Sequence, residues 1–140
     1  MKLIKLTYLI VICFFTVPTY AIDFWHSNTT WAGQGQCSAV FSFDSGVEEI
    51  IELKLLVSAF NKEGEKVASG LIEVPHFGQS TADRYIDVSL EDEAFCDEDI
   101  TIVVTNAEAV IDGNNTDLLK KKLISTREFK PFNIIVDKRY

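Results

Sequence analysis

The run Glu49–Phe60 constrains the fold more than any other feature of the sequence, because apolar and polar residues alternate along most of its length. One face of a strand here would carry Ile51, Leu53, Leu55, Val57 and Ala59. A helix is the alternative, since part of the run also has helical spacing and contains good helix formers. The polar turn Asn61–Gly64 and the β-prone run that begins at Lys66 are typical of a hairpin instead. We therefore predict that Glu49–Phe60 is a central strand.

Six further segments have the composition or the alternation of strands and lie between turn-forming residues. They are Ile22–Trp31, Cys37–Phe43, Lys66–Val74, Arg84–Leu90, Ile100–Thr105 with an extension as far as Ile111, and Phe129–Val136. Gly70 interrupts the third of them, and Pro131 places the last at a sheet edge or at the start of its strand. The turn Asp112–Asn115 precedes Asp117–Leu123, which fits one helical segment and the start of a strand equally well.

Short strands separated by turns at regular intervals predict an all-β sandwich. The immunoglobulin signature is incomplete, because no Trp follows Cys37 at the usual distance and Ala94 occupies the position of the tyrosine corner. The sequence therefore predicts one fibronectin-like β-sandwich domain.

The first 21 residues have the three parts of a secretory signal peptide. Lys2 and Lys5 form the basic start, Leu6–Val17 forms the apolar centre, and small residues precede a cleavage site after Ala21. A membrane anchor is the alternative, but the apolar run is short for a span of about 20 residues. We predict that the mature domain, residues 22–140, is secreted through the periplasm and is not inserted in a membrane.

The charge of the chain limits the kinds of partner that it can bind. The net charge is −8, and cleavage of the signal peptide would remove Lys2 and Lys5 but no acid, which leaves −10. Nucleic acids and anionic membranes repel such a domain, whereas basic protein surfaces attract it. We therefore predict no nucleic acid partner.

Two cysteines remain after cleavage, Cys37 and Cys96, because Cys13 lies in the signal peptide. In an exported chain, two cysteines most simply form one disulfide. A metal site is the alternative, but His26 and His76 are the only histidines and lie at no zinc-ligand spacing. We predict a Cys37–Cys96 bridge and no metal.

The remaining polar residues match no catalytic motif, since no serine lies in a Gly-x-Ser-x-Gly elbow. We predict that the protein is not an enzyme and needs no cofactor. His26 is interpreted as a surface histidine, with a binding surface as the alternative. The acidic run Glu91–Asp99 is interpreted as a solvated loop, because it lacks the spacing of a calcium loop. Trp25, Trp31 and Phe77 are interpreted as core residues, although aromatic residues also anchor interfaces.

The segment Ser27–Gly46, the signal peptide and the pair Cys37 and Cys96 together resemble the interleukin receptor mimic proteins secreted by pathogenic Escherichia coli. The resemblance extends over the whole mature chain, without a compact motif. It implies a fibronectin type III-like fold, a domain-swapped homodimer, and binding of host cytokines (interleukins) and immunoglobulins. It implies no catalytic residue.

Contacts with such partners would come from loops at one end of the sandwich. We predict that His76 and Phe77, together with the acidic residues Glu91, Asp92 and Glu93, form this surface. The turn at residues 112–115 is our predicted hinge for an exchange of residues 116–140 between two copies. The alternative function is a periplasmic or surface component of a bacterial organelle that assembles by strand addition.

Overall fold

Nine β-strands form two sheets in the computed structural model, which describes residues 21–127 and 133–136. The strands are β1 (Ile22–Gly33), β2 (Gln36–Asp44), β3 (Ile51–Phe60), β4 (Lys66–Val74), β5 (Tyr85–Leu90), β6 (Thr101–Ile111), β7 (Asn114–Asp117), β8 (Ile124–Thr126) and β9 (Asn133–Val136). The first sheet has the order β5-β2-β1-β8, and the second has the order β4-β3-β6-β7 with β9 also beside β6. The prediction of an all-β, fibronectin type III-like sandwich is confirmed.

The strand predicted at Glu49–Phe60 is β3, which lies in the second sheet between β4 and β6. Its inward residues are fully buried from Leu53 to Ala59, whereas Lys54 and Leu56 face outward. Burial of every second side chain is the strand pattern, so the helical alternative is wrong. The hairpin to β4 closes at residues 61–65, as the turn residues predicted.

Strand β4 continues through Gly70 without a break, contrary to the predicted interruption. The glycine is needed for packing between the sheets. A Cβ atom there would lie 2.9 Å from Leu90 Cδ2 and 3.3 Å from the Phe95 ring, closer than side chains normally pack. Gly70 therefore permits a close approach of β4 to the first sheet.

The region after β5 forms one long strand and a short hairpin. β6 runs unbroken from Thr101 to Ile111, which confirms the predicted extension. Asp112 and Gly113 form the turn with φ values of 50° and 75°, so Asn114 and Asn115 begin β7 instead of completing the turn.

The segment Asp117–Leu123 is neither the helix nor the strand start that the sequence left open. β7 ends at Asp117, and turns follow in which the side chains of Leu118 and Leu119 are buried. Two backbone bonds fix this segment to its neighbours, from Leu118 N to Ala107 O and from Ile22 N to Leu123 O.

The C-terminal strand predicted at Phe129–Val136 is described only as β9, which pairs in parallel with β6. Phe129 and Pro131 lie outside the described residues, as do residues 1–20 of the predicted signal peptide. β8 also pairs in parallel, with the start of β1. The chain thus contributes one short strand to each sheet within 13 residues of sequence, at 124–136.

The core lies between the two sheets and is rich in phenylalanine. Phe24 and Phe43 stack with ring centroids 5.5 Å apart, and Phe95 is fully buried. The Cys37–Cys96 disulfide links β2 to a 3₁₀ helix at Glu93–Cys96, so the predicted bridge is confirmed. It closes a loop of 59 residues.

Candidate functional site

The predicted site residues lie at opposite ends of the sandwich. β2 and β5 run antiparallel, with Ala39 opposite Leu90 and Asp44 opposite Tyr85. Residues 91–99 therefore follow β5 at the end where the β1–β2 hairpin turns and the disulfide lies, which we name the disulfide end. Residues 75–84 precede β5 at the other end, beside Asp44, which we name the arginine end. The expectation that both groups form one surface is wrong for this geometric reason.

Phe77 does not offer an aromatic side chain to solvent. Its side chain is only 2% exposed, and its backbone forms an isolated bridge with Ile50. The two bonds of this bridge measure 2.9 Å from Ile50 N to Phe77 O and 3.1 Å in the other direction. The loop therefore folds back on the start of β3, and Phe77 is a core residue, as the first interpretation of its aromatic ring held.

His76 is exposed at the arginine end but has partners on its own chain. Its Nε2 atom lies 2.6 Å from Glu49 Oε1, and Gln79 Nε2 lies 3.1 Å from its Nδ1. About two-fifths of the side chain (39%) is exposed. His76 can contribute to a surface, but it lies far from the acidic residues predicted to act with it.

The acidic residues at Glu91–Glu93 are held in a fixed conformation by the 3₁₀ helix. The Asp92 carboxylate accepts a bond of 2.9 Å from Ala94 N and so caps this helix. Phe95 and Cys96, on the same turn, are anchored in the core and by the disulfide. Because the cap, the buried ring and the disulfide all constrain this short segment, its backbone presents the outward carboxylates with little conformational freedom.

Trp31 lies beside this acidic segment and is the most exposed aromatic side chain of the disulfide end, at 61%. The interpretation of Trp31 as a core residue is therefore wrong. It pairs with Cys37 in the β1–β2 hairpin, in a part of β1 where most residues from Ser27 onward are exposed. The register shift between His26 and Asn28 marks where β1 leaves the core, whereas Ala39 and Cys37 on the paired strand β2 stay buried.

An open cleft of about 770 Å³ separates the hairpin from the acidic segment. Its walls are Thr29 and Trp31 on one side and Asp92, Glu93, Ala94, Cys96, Asp97 and Glu98 on the other. A smaller cleft of about 380 Å³ lies alongside and includes Gln36, Ser38 and Glu91. Sequence reasoning named the acidic residues but missed their position against Trp31, because 60 or more residues of chain separate the two walls.

Several of the acidic side chains in this region remain available to a partner. Asp99 pairs with Lys62 at 2.9 Å, and Asp97 accepts a bond from the backbone N–H of Asp99. Within residues 21–127 and 133–136, Glu93 and Glu98 form no ion pair. The cleft therefore combines one exposed indole ring with uncompensated negative charge.

An ion-pair network centred on the buried Asp44 occupies the arginine end, and its two arginines are partly exposed. Asp44 is 2% exposed and accepts bonds from Arg84 Nε at 2.6 Å and from Arg127 Nη2 at 2.8 Å. Burial alone would raise the pKa of Asp44, but bonds from Arg84, the Gly46 N–H and Arg127 hold the pKa below its ordinary value of 3.8. The Arg127 guanidinium also lies 4.5 Å above the ring of Trp25, which is half-buried.

This network joins β2 to the residue that precedes β5 and to the residue that follows β8, and so it links both end strands of the first sheet. Charged pairs of this kind stabilise a fold when every lone pair has a donor, and Asp44 meets that condition. Among the described residues, no group of three or more His, Cys, Asp or Glu side chains is placed to hold a metal ion.

His26 is buried, at 7% exposure, and not on the surface as the sequence interpretation held. Its ring meets Phe41 edge-on with centroids 5.5 Å apart, and its Nε2 lies 3.2 Å from Thr29 Oγ1. Burial lowers the pKa of His26 from 6.5 to about 4, against a backbone hydrogen bond that raises it. The alternation of Ile22, Phe24 and His26 was the signal in the sequence that could have placed this side chain inside.

The part of the chain that the structure describes contains no helix that is long and apolar enough to cross a membrane. A family model described as interleukin receptor mimic protein A matches residues 22–126. Among solved structures, the structure of IrmA from Escherichia coli is similar to this chain, with a TM-score of 0.65 and 24% sequence identity. The alignment covers 79% of this chain and 94% of that chain, and at this identity it supports the fold alone. A search of curated proteins found no match.

Proposed function

The chain belongs to the interleukin receptor mimic protein A family, and from that premise we propose that it is a secreted, non-enzymatic virulence-associated protein that binds host cytokines through the acidic cleft of the disulfide end. The family match supports the choice of cytokines as the class of partner. The exposed Trp31 ring beside clustered carboxylates is the observation that carries the choice of site.

The side chain of Trp31 suits a binding anchor. Tryptophan is enriched among the residues that contribute most to protein–protein affinity, because a large ring buries much apolar area for little lost rotamer freedom. An indole that is 61% exposed can still lose most of that surface to a partner. Core residues such as Phe95 have no area left to bury.

The carboxylates of the cleft suit a basic partner surface. Glu93 and Glu98 lie on the same wall and carry no counter-ion on the described chain. The whole protein is also acidic, with a net charge of −8 before and −10 after the predicted cleavage. Long-range attraction of this kind raises the association rate more than the affinity, and salt weakens it. Immunoglobulins with basic patches would be a second class of partner for the same surface.

Surface plasmon resonance with the immobilised mature protein tests this proposal directly. A panel of interleukins and immunoglobulins is passed over it at two salt concentrations. We expect at least one cytokine to bind with a slower association rate at high salt, and Trp31→Ala to weaken that binding by about 2 kcal/mol, or roughly 30-fold. Glu98→Gln should lower the association rate and leave the dissociation rate nearly unchanged.

Matched controls lie at the arginine end. Val47→Ala removes an apolar side chain that is 72% exposed, and Asp112→Asn removes an exposed acid at a turn position that Asn also accepts. Neither change should alter binding. No binding of any cytokine or immunoglobulin at micromolar concentration would reject the function, whereas binding that survives Trp31→Ala would reject only the site.

Fractionation separates this function from the assembly alternative. Free protein in the growth medium is expected for a host-directed binding protein. Retention in the periplasm with a co-purifying subunit would favour a component that assembles by strand addition.

A further inference from the structure

Both arginines that the structure describes are held by the same pair of groups, an aromatic ring and a carboxylate. The guanidinium of Arg127 lies 4.5 Å from the centroid of the Trp25 ring, and its Nε and Nη2 atoms each donate a bond of 3.2 Å to Asp23. The guanidinium of Arg84 lies 5.3 Å from the centroid of the Tyr85 ring and also donates to a carboxylate. An aromatic face and a carboxylate together therefore bind a guanidinium in this protein.

The acidic cleft of the disulfide end has the ring and the carboxylates of this arrangement but no arginine. Trp31 is 61% exposed on one wall, and four acidic residues lie on the other, Asp92, Glu93, Asp97 and Glu98. Asp92 and Asp97 already accept backbone N–H bonds. None of the described residues that line the cleft is a lysine or an arginine. The Glu93 and Glu98 carboxylates therefore face the cleft region without a cation.

The wall that carries Trp31 is neutral and open. Residues 24–43, which contain most of β1 and β2, include no Asp, Glu, Lys or Arg. Among the described strands, β8 covers the other edge of β1 only at residues 22–24. No described strand therefore lies beside Trp31 on that edge, and a side chain from a partner can approach its ring.

The shape of the cleft favours a guanidinium over other cations. A metal ion needs ligands that converge on one point, and among the described residues no three His, Cys, Asp or Glu side chains do so. A guanidinium is planar and weakly hydrated, so its face can stack on an indole while its edge donates to carboxylates. A lysine ammonium is a strongly hydrated point charge that has no flat face to stack.

We propose that the acidic cleft recognises one arginine side chain of the partner, whose guanidinium stacks on Trp31 and donates hydrogen bonds to Glu93 and Glu98. This inference deepens the proposed function and rests on it for the partner, a host cytokine that presents an exposed arginine. The chemistry of the cleft does not depend on which protein carries the arginine, so the two proposals can be tested separately.

Proton–nitrogen NMR of the isotope-labelled mature protein tests the site, with Nα-acetyl-argininamide as the probe. Trp25 and Trp31 are the two tryptophans of the chain, and Trp31→Phe assigns their indole N–H resonances. We expect the Trp31 resonance to shift and saturate with a dissociation constant on the order of 1 mM, because a single side chain buries little area. The Trp25 resonance should not move, since Arg127 already lies over that ring.

Two further probes and three variants identify the interactions. Nα-acetyl-citrullinamide has the same shape without the charge and should bind roughly tenfold more weakly, and Nα-acetyl-lysinamide should also bind more weakly than the arginine probe. Glu93→Gln and Glu98→Gln should each weaken arginine binding by roughly two- to fivefold, as expected for an exposed ion pair. The matched control is Glu73→Gln, an exposed acid on β4 that should leave binding unchanged.

The inference is overturned if the Trp31 resonance responds no more to the arginine probe than to the citrulline or lysine probe. It is also overturned if Glu93→Gln and Glu98→Gln both bind arginine as tightly as Glu73→Gln. A saturable, arginine-selective response that either glutamate substitution weakens supports it.

Surface plasmon resonance separates a failure of this inference from a failure of the proposed function. A cytokine that binds through Trp31 but is not displaced by the arginine probe at about ten times its dissociation constant would overturn the arginine site and leave the function standing. An arginine-selective response without any cytokine binding would support the site and reject the function.

Discussion

The burial of His26 should make the stability of this domain depend on pH in a way that one substitution removes. The ring has little contact with solvent and lies edge-on to Phe41. Its pKa is about 4 in the folded protein, against 6.5 for an exposed histidine. Between these two values the unfolded chain binds a proton at this site and the folded chain does not.

The sign and size of the effect follow from this difference. Stability rises with pH wherever the unfolded state binds more protons, so the contribution of His26 is complete above pH 6.5 and falls as the pH drops towards 4. The full difference of about 2.5 pKa units corresponds to ~3 kcal/mol. About 2 kcal/mol of it should be lost between pH 7 and pH 5.

Urea denaturation at pH 5, 6 and 7 measures this loss, with the fluorescence of Trp25 and Trp31 as the signal and the disulfide intact. The comparison is with His26→Gln, which does not titrate and keeps a polar group near Thr29. His26→Phe is a second variant, which keeps the aromatic contact with Phe41. Each variant will differ from the unmodified protein in its free energy of unfolding at pH 7. The informative quantity is how much this difference changes as the pH falls.

We expect the difference in the free energy of unfolding between the unmodified protein and either variant to change by about 2 kcal/mol between pH 7 and pH 5. All other groups titrate alike in the two proteins, so their contributions cancel. Proton NMR gives an independent measure, since His76→Gln leaves one histidine and so assigns the His26 resonance. The inference that burial holds this ring neutral would be refuted in either of two cases. The free energies of unfolding of the unmodified protein and the variant could change with pH in parallel, within about 0.5 kcal/mol, or the His26 resonance could titrate near pH 6.5.

Four further predictions concern processing, stability and assembly. Intact mass should show a mature chain that begins at Ile22 and gains two hydrogen atoms when the disulfide is reduced. Cys37→Ser, which removes the bridge to Cys96, should cost ~4 kcal/mol in the free energy of unfolding, as expected for a closed loop of 59 residues. Phe77→Ala should cost about 3–5 kcal/mol because the ring is buried, and a loss below 1 kcal/mol by urea denaturation would contradict its place in the core. Light scattering should show a dimer, and a dimer structure in which residues 116–140 pack on their own chain would reject a hinge at residues 112–115.

Local pattern predicted most of the strands because burial in a sandwich repeats every two residues. The alternation in Cys37–Phe43 and in Glu49–Phe60 matched β2 and β3 closely. The turn residues at 61–64 placed one hairpin, and those at 112–115 placed a turn where the structure has a second hairpin, since such backbone preferences act without help from distant parts of the chain. The segment Asp117–Leu123 had no such preference. In the structure it forms a set of turns in which Leu118 and Leu119 are buried.

The candidate site could be predicted only in part. Glu91–Glu93 stand out in the sequence as an acidic run, but nothing local shows which surface they share. Trp31 was expected in the core, because a large aromatic ring is usually buried. It is exposed because β1 leaves the core after the register shift near His26, although its partner residues on β2 stay buried, and which of two paired strands the other sheet covers is decided by parts of the chain that are far away in sequence.

The sequence by itself therefore determined the fold class and the disulfide between Cys37 and Cys96, and it alone carries the prediction of an export signal. These depend on periodicity, composition and the small number of cysteines. The tertiary structure alone decided between the core and the contact role that the sequence offered for Phe77, and it alone placed the loop of Phe77 at the opposite end from Glu91–Glu93. The physical reason is that the burial of a loop residue depends on which distant backbone it meets, here Ile50, and no local preference encodes that contact.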